Sequence, residues 1–125
     1  MGDKKLSGVA SEDIGKCAYG IFKKGTELVG QTIGVAGDEP TCTEMAASLS
    51  KALGEEVRYN AVSPDVYRGF GFPGADEMGN MFQFYADCED VCVSTRNVQR
   101  CRELNPELQD FDTWLAANAS GLPLD

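Results

Sequence analysis

An aromatic stretch from Pro64 to Cys92 constrains this chain most, because it places two helices on either side of a Gly-Phe-Pro-Gly corner. Pro64 suits a first helical position after a Ser63 cap. Two glycines and Pro73 then stop that helix, because proline cannot continue it. The next helix opens with two acidic residues, which the helix dipole favours. The sequence therefore predicts a helical hairpin.

The second helix of this hairpin carries two adjacent apolar faces at helical spacing. They are Met78, Phe82 and Tyr85 on one side, and Met81, Tyr85, Cys88 and Cys92 on the other. A helix covered on two sides is usually a core helix. The alternative is that the helix forms the wall of a ligand cleft, since the polar groups of Tyr67, Asn80 and Tyr85 lie among apolar rings.

Other helices are indicated by their boundary residues. A helix is predicted from a Ser11 cap to Lys24, with Gly25 ending it. Thr41 and Glu44 form a capping box that opens a second helix, which ends at Gly54. Two further helices are predicted over residues 95–104 and 110–118, and an extended tail over residues 121–125.

Two segments rich in β-branched residues, Gln31–Val35 and Val57–Val62, lie on either side of the capping-box helix. Strand, helix and strand with short connections form a βαβ unit, so the two strands are expected to be parallel. The predicted fold class is α/β: a mostly helical unit with a small two-stranded parallel sheet.

Composition excludes several classes of function. The 125 residues suffice for one domain, and the formal net charge of −9 argues against direct nucleic-acid binding and against an anionic membrane surface. No apolar run is long enough to span a membrane, so a cytoplasmic location is expected, with the nucleus as a second site. The chain has five cysteines and no histidine, which favours reduced thiols over disulfides or a metal site.

Four segments carry a resemblance to a known family. They read V-A-S-E-D-I-G from Val9, G-Q-T-I-G-V-A-G-D from Gly30, G-F-P-G-A-D-E-M-G-N-M-F-Q-F-Y from Gly71 and L-N-P-E-L-Q-D-F-D-T-W-L from Leu104. In this order and spacing the chain resembles the C-terminal part of NmrA-like proteins, which are atypical short-chain dehydrogenase/reductases. The third segment is the most specific of the four.

The resemblance implies that complete family members begin with a Rossmann domain whose Gly-rich loop binds the cofactor. The spacing from Gly69 to Gly74 imitates such a loop, but no strand is predicted before it and Pro73 does not suit a phosphate cradle. Tyr19 and Lys23 imitate a dehydrogenase Y-x-x-x-K pair, at the wrong place in the fold. Residues 1–125 are therefore expected to be a single partial domain, the C-terminal, ligand-side portion of a truncated family member, with no catalytic or cofactor-binding residue.

The family resemblance also implies a function, namely sensing NADP(H) and regulating protein partners rather than efficient catalysis. NADP is implied for a complete member and no cofactor is expected for this chain alone. The ligand-cleft candidates are Tyr67, Phe72, Asn80 and Phe84. Two alternatives stay open: part of an NAD(P)-dependent reductase of carbonyls or quinones, and a free-standing acidic protein-interaction module.

Overall fold

The computed structural model describes residues 1–123, and within them the fold is built from helices. The α-helices in chain order are α1 (Ser11–Lys23), α2 (Cys42–Leu53), α3 (Pro64–Arg68), α4 (Ala75–Asp87), α5 (Glu89–Ser94), α6 (Val98–Leu104) and α7 (Phe111–Asn118). Short 3-10 helices span Gly25–Leu28 and Ala119–Gly121. The last two residues of the predicted tail lie outside the described range.

The predicted two-stranded parallel sheet is wrong, because the described residues contain no sheet. Their only strand-like pairings are isolated antiparallel bridges, Lys5 with Thr41 and Gly8 with Asp38. The segment predicted as the first strand lies against α6 instead, where Cys101 Sγ contacts Ala36 N at 3.5 Å and Gly34 O at 3.6 Å.

The segment predicted as the second strand has its first residue bound to a helix. Ser50 Oγ of α2 accepts the amide N–H of Val57 at 2.8 Å and donates to the Val57 carbonyl at 3.1 Å. Residues 57–62 have no regular secondary structure and no neighbouring strand. Strand propensity depends on a neighbouring strand to pack against, and neither segment has one among the described residues.

Local signals placed most helices correctly. The capping box of α2 is present, with Glu44 N donating to Thr41 Oγ1 at 3.2 Å and Thr41 N donating to the Glu44 carboxylate at 2.7 Å. Ser63 caps α3 as predicted. Gly74 begins α4 with a left-handed φ of 90°, a conformation that glycine adopts without a steric penalty.

The helices pack as three pairs: α1 with α6, α2 with α7, and α3 with α4. A small core joins Cys17 of α1, Cys101 of α6 and Leu108, with Val35 and Val98 packed against it. Helix α1 approaches α6 closely because Gly20 has no side chain, and a Cβ there would lie 2.2 Å from the carbonyl oxygen of Leu104.

This close approach predicts opposite effects for one substitution at two positions of α1. Gly20→Ala will destabilise the fold by about 1–3 kcal/mol, because the methyl group must displace backbone. Gly15→Ala will stabilise it by up to about 1 kcal/mol, because no atom lies within 4 Å and alanine favours helix. Urea unfolding followed by circular dichroism measures both. Equal tolerance at the two positions would contradict the packing described.

Candidate functional site

Tyr67, the first predicted cleft residue, lies at the centre of an aromatic cluster between α3 and α4. Its ring centroid lies 5.4 Å from that of Phe70, 5.9 Å from that of Phe72 and 5.5 Å from that of Phe82. Its hydroxyl lies 4.0 Å from the sulfur of Met78. The structure therefore brings two of the predicted residues, Tyr67 and Phe72, into contact distance of each other.

The other two predicted residues, Asn80 and Phe84, lie on the exposed side of α4. Asn80 Oδ1 accepts a hydrogen bond from Arg68 Nη1 at 3.0 Å, and the same nitrogen donates to Gln83 Oε1 at 3.0 Å. The Phe84 side chain is 54% exposed, with its ring 6.1 Å from that of Tyr85. Asn80 thus helps to join α3 to α4, while Phe84 projects from the surface.

The four candidates do not converge on one cavity. Tyr67 lines a cavity of about 220 Å³ together with Tyr59 and Phe82. Phe72 lines a different, open concavity of about 430 Å³ with Arg68, Asp76 and Glu77. Ligand binding by these four residues stays a prediction.

A larger cavity, of about 480 Å³, lies between the start of α1 and one face of α7. Its apolar wall includes Trp114, Phe111 and Met45, all half-buried. Sequence analysis missed this cavity because its wall combines three separated parts of the chain. One sequence signal was available, since Phe111, Trp114 and Leu115 share a helical face. The structure buries only Leu115, which leaves the two aromatic residues for the cavity wall.

The polar wall of this cavity is acidic. It includes Glu12, Asp38 and Asp110, and no lysine or arginine lines it. Asp38 Oδ2 accepts the amide N–H of Phe111 at 3.0 Å, and Glu12 Oε1 accepts from Gln109 Nε2 at 3.1 Å. Such a wall suits a neutral or cationic group better than an anion.

Asp110 lines this cavity and is also the N-cap residue of α7. Its Oδ1 accepts the amide N–H of Thr113 at 2.8 Å. Hydrogen bonds from the Thr113 side chain and backbone lower the pKa of the Asp110 carboxyl below its usual 3.8. The carboxylate therefore stabilises the folded state in its charged form.

The thiols form no metal site with the carboxylates. Within residues 1–123 no three His, Cys, Asp or Glu side chains are grouped to hold an ion, and the five cysteines are free thiols. Burial raises the pKa of the Cys17 thiol, and the neighbouring Cys101 thiol raises it further by a smaller amount. None of the helices described for residues 1–123 is both long and apolar enough to cross a bilayer.

A protein-family model matches most of this chain. The model of the NmrA-like family matches residues 1–115 of the 125-residue chain. The chain belongs to the NmrA-like family. The match includes all four segments on which the resemblance was based, and it ends within α7 of this NmrA-like protein.

The cavities described do not fit the pyrophosphate of a nicotinamide dinucleotide. The largest one is lined by three carboxylates and no cation. Arg68 is the one cation lining the concavity beside Phe72, which Asp76 and Glu77 also line, and its guanidinium donates to Asp65. A dianionic pyrophosphate needs N–H groups and cations in excess of carboxylates. These two cavities of the NmrA-like chain offer the reverse.

The lowered pKa of Asp110 predicts how stability depends on pH. A carboxyl with a folded-state pKa below its unfolded value stabilises the fold above the unfolded pKa, and this stabilisation is lost as pH falls through the folded pKa. Asp110→Asn keeps the capping oxygen but removes the charge. We expect the variant to match the parent near pH 7 and to lose less stability than the parent when pH falls below about 3.8.

Asp110→Ala is the matched control, because it removes the cap at every pH and should cost about 1 kcal/mol at neutral pH. Urea unfolding at a series of pH values measures all three proteins. Identical acid profiles for the parent and Asp110→Asn would show that the carboxylate does not act in this way.

Proposed function

We propose that this chain is the ligand-side portion of an NmrA-like protein that senses NADP(H) and regulates partners by binding, with the residues that hold the cofactor supplied from outside it. We also propose that the protein is located in the cytoplasm and has access to the nucleus, which is where such a regulatory protein would meet its partners. The observation that carries the proposal is an apolar face of α1 that this chain leaves uncovered.

The apolar face of α1 turns only its Cys17 edge inward, and the rest of this face, Ile14, Ala18, Ile21 and Phe22, stays at least partly exposed. Asp13, Cys17 and Gly20 are buried, and they share one side of the helix. Ile14 and Phe22, on the apolar face, are 50% and 80% exposed. Exposed large apolar groups at helical spacing mark a contact surface. We propose that the nucleotide-binding half implied for complete family members covers this face.

A reductase role has less support. Tyr19 is 66% exposed, and Lys23 Nζ lies 5.5 Å from the centre of its ring rather than beside its hydroxyl. This arrangement is a surface cation–π contact and not a proton relay. It supports treating the Y-x-x-x-K spacing as a coincidence, and binding as the activity of this portion.

Calorimetric titration with NADPH tests the proposal in two steps. We expect no binding by the 125-residue chain alone, because its cavities are acidic. We expect binding when a separately produced nucleotide-binding half of a complete NmrA-like protein is added, because the apolar face of α1 is then covered. Micromolar NADPH binding by the chain alone would overturn the proposal.

Two variants locate the contact. Ile14→Ser combined with Phe22→Ser should prevent assembly with the added half, while changing the free energy of unfolding of the chain alone by no more than about 0.5 kcal/mol per site, as for exposed residues. Tyr19→Ser, on the same helix but outside the apolar face, is the control and should leave assembly intact. Equal loss of assembly in the control would place the contact elsewhere.

A further inference from the structure

A second apolar surface runs along the outside of the α3–α4 hairpin, and we name it the methionine–aromatic strip. Its side chains are all partly open to solvent: Phe70 at 54%, Phe72 at 40%, Met78 at 38%, Met81 at 39% and Phe84 at 54%. Met78, Met81 and Phe84 follow one another at intervals of three residues, so this part of the strip extends about 9 Å along α4.

The strip is packed against Tyr67 of α3. The Tyr67 ring lies beside those of Phe70 and Phe72, and its hydroxyl lies 4.0 Å from the Met78 sulfur. Helix α4 approaches α3 closely at Gly79, where a Cβ would lie 2.6 Å from Arg68 Cγ. Preorganised apolar groups lose little conformational entropy when a partner covers them.

The surroundings of the strip are strongly acidic. From Gly69 to Thr95 the chain has no lysine or arginine, and it has five acidic residues: Asp76, Glu77, Asp87, Glu89 and Asp90. Among the described ion pairs only Glu89 of these five is engaged, by Lys4 Nζ at 3.0 Å. Arg68 borders the strip, but its guanidinium is bound to Asp65 and to the side-chain amides of α4.

We propose that the methionine–aromatic strip docks a basic amphipathic helix of a protein partner. Flexible methionines adapt to the apolar face of such a helix, and carboxylates at both ends of α4 attract its lysines and arginines. A second copy of this chain fits poorly, because two chains of net charge −9 would place acidic rims against each other. The inference deepens the proposed regulatory function and rests on it, since it names the chemistry of the regulated partner.

Two designed peptides of about 18 residues test the charge requirement. Both carry leucine at the same helical positions, and one has lysine and the other glutamate at every remaining position. Fluorescence anisotropy with labelled peptides measures binding to the 125-residue chain. We expect the lysine peptide to bind, with an affinity that falls as salt rises, and the glutamate peptide not to bind.

Substitutions in the strip and elsewhere show where the lysine peptide binds. Glu77→Lys and Asp87→Lys should each weaken binding about five- to tenfold, and Phe84→Ser by at least as much. The matched controls are Glu55→Lys, an exposed acid in the loop after α2, and Phe22→Ser on α1. Both should bind as the parent does. Circular dichroism confirms that each variant is folded.

Several results would overturn the inference. These are equal binding of the two peptides, loss of binding with Phe22→Ser but not with Phe84→Ser, and sedimentation showing a dimer that Phe84→Ser disrupts. Because the NADPH experiment depends on Phe22 and the peptide experiment on Phe84, failure of one proposal is distinguishable from failure of the other.

Discussion

The fold depends on one buried carboxylate, that of Asp13. It is completely buried in the first turn of α1, where it accepts hydrogen bonds from Asn105 Nδ2 at 3.0 Å and from the Gln109 amide N–H at 2.9 Å. Lys16 Nζ lies 3.7 Å away. Loss of such partners leaves a buried charge uncompensated, which costs about 3–5 kcal/mol. These bonds fix the rotation of α1 against the loop between α6 and α7.

That rotation explains why the chain has uncovered apolar surface. Once Asp13 points inward, Cys17 and Gly20 follow it at helical spacing and pack on α6. Ile14 and Phe22 must then face solvent. The methionine–aromatic strip is a separate surface on the α3–α4 hairpin, in an acidic part of the chain. These two uncovered surfaces are the basis of the two separate contacts that we propose for this NmrA-like chain.

Sequence predicted the helices well, because caps and glycine stops act within a few residues. It failed for the two expected strands, because a strand requires a partner strand, and Val57 and Gly34 instead meet helix side chains. Sequence analysis did not identify the role of Asp13, because its partners lie about ninety positions along the chain. The cavity beside Trp114 was missed for the same reason, since its walls are distant in sequence.

The central claim is that α1 and α4 present apolar faces to solvent in the folded chain. Hydroxyl-radical footprinting with peptide mass spectrometry tests it directly, because labelling follows the exposure of each side chain. We predict that Phe22, Met81 and Phe84 each keep a substantial share of the labelling rate that they show in urea, while Leu115, which is 1% exposed, is protected. Protection of Phe22, Met81 and Phe84 to the level of Leu115 would contradict the account, because both faces would then already be covered.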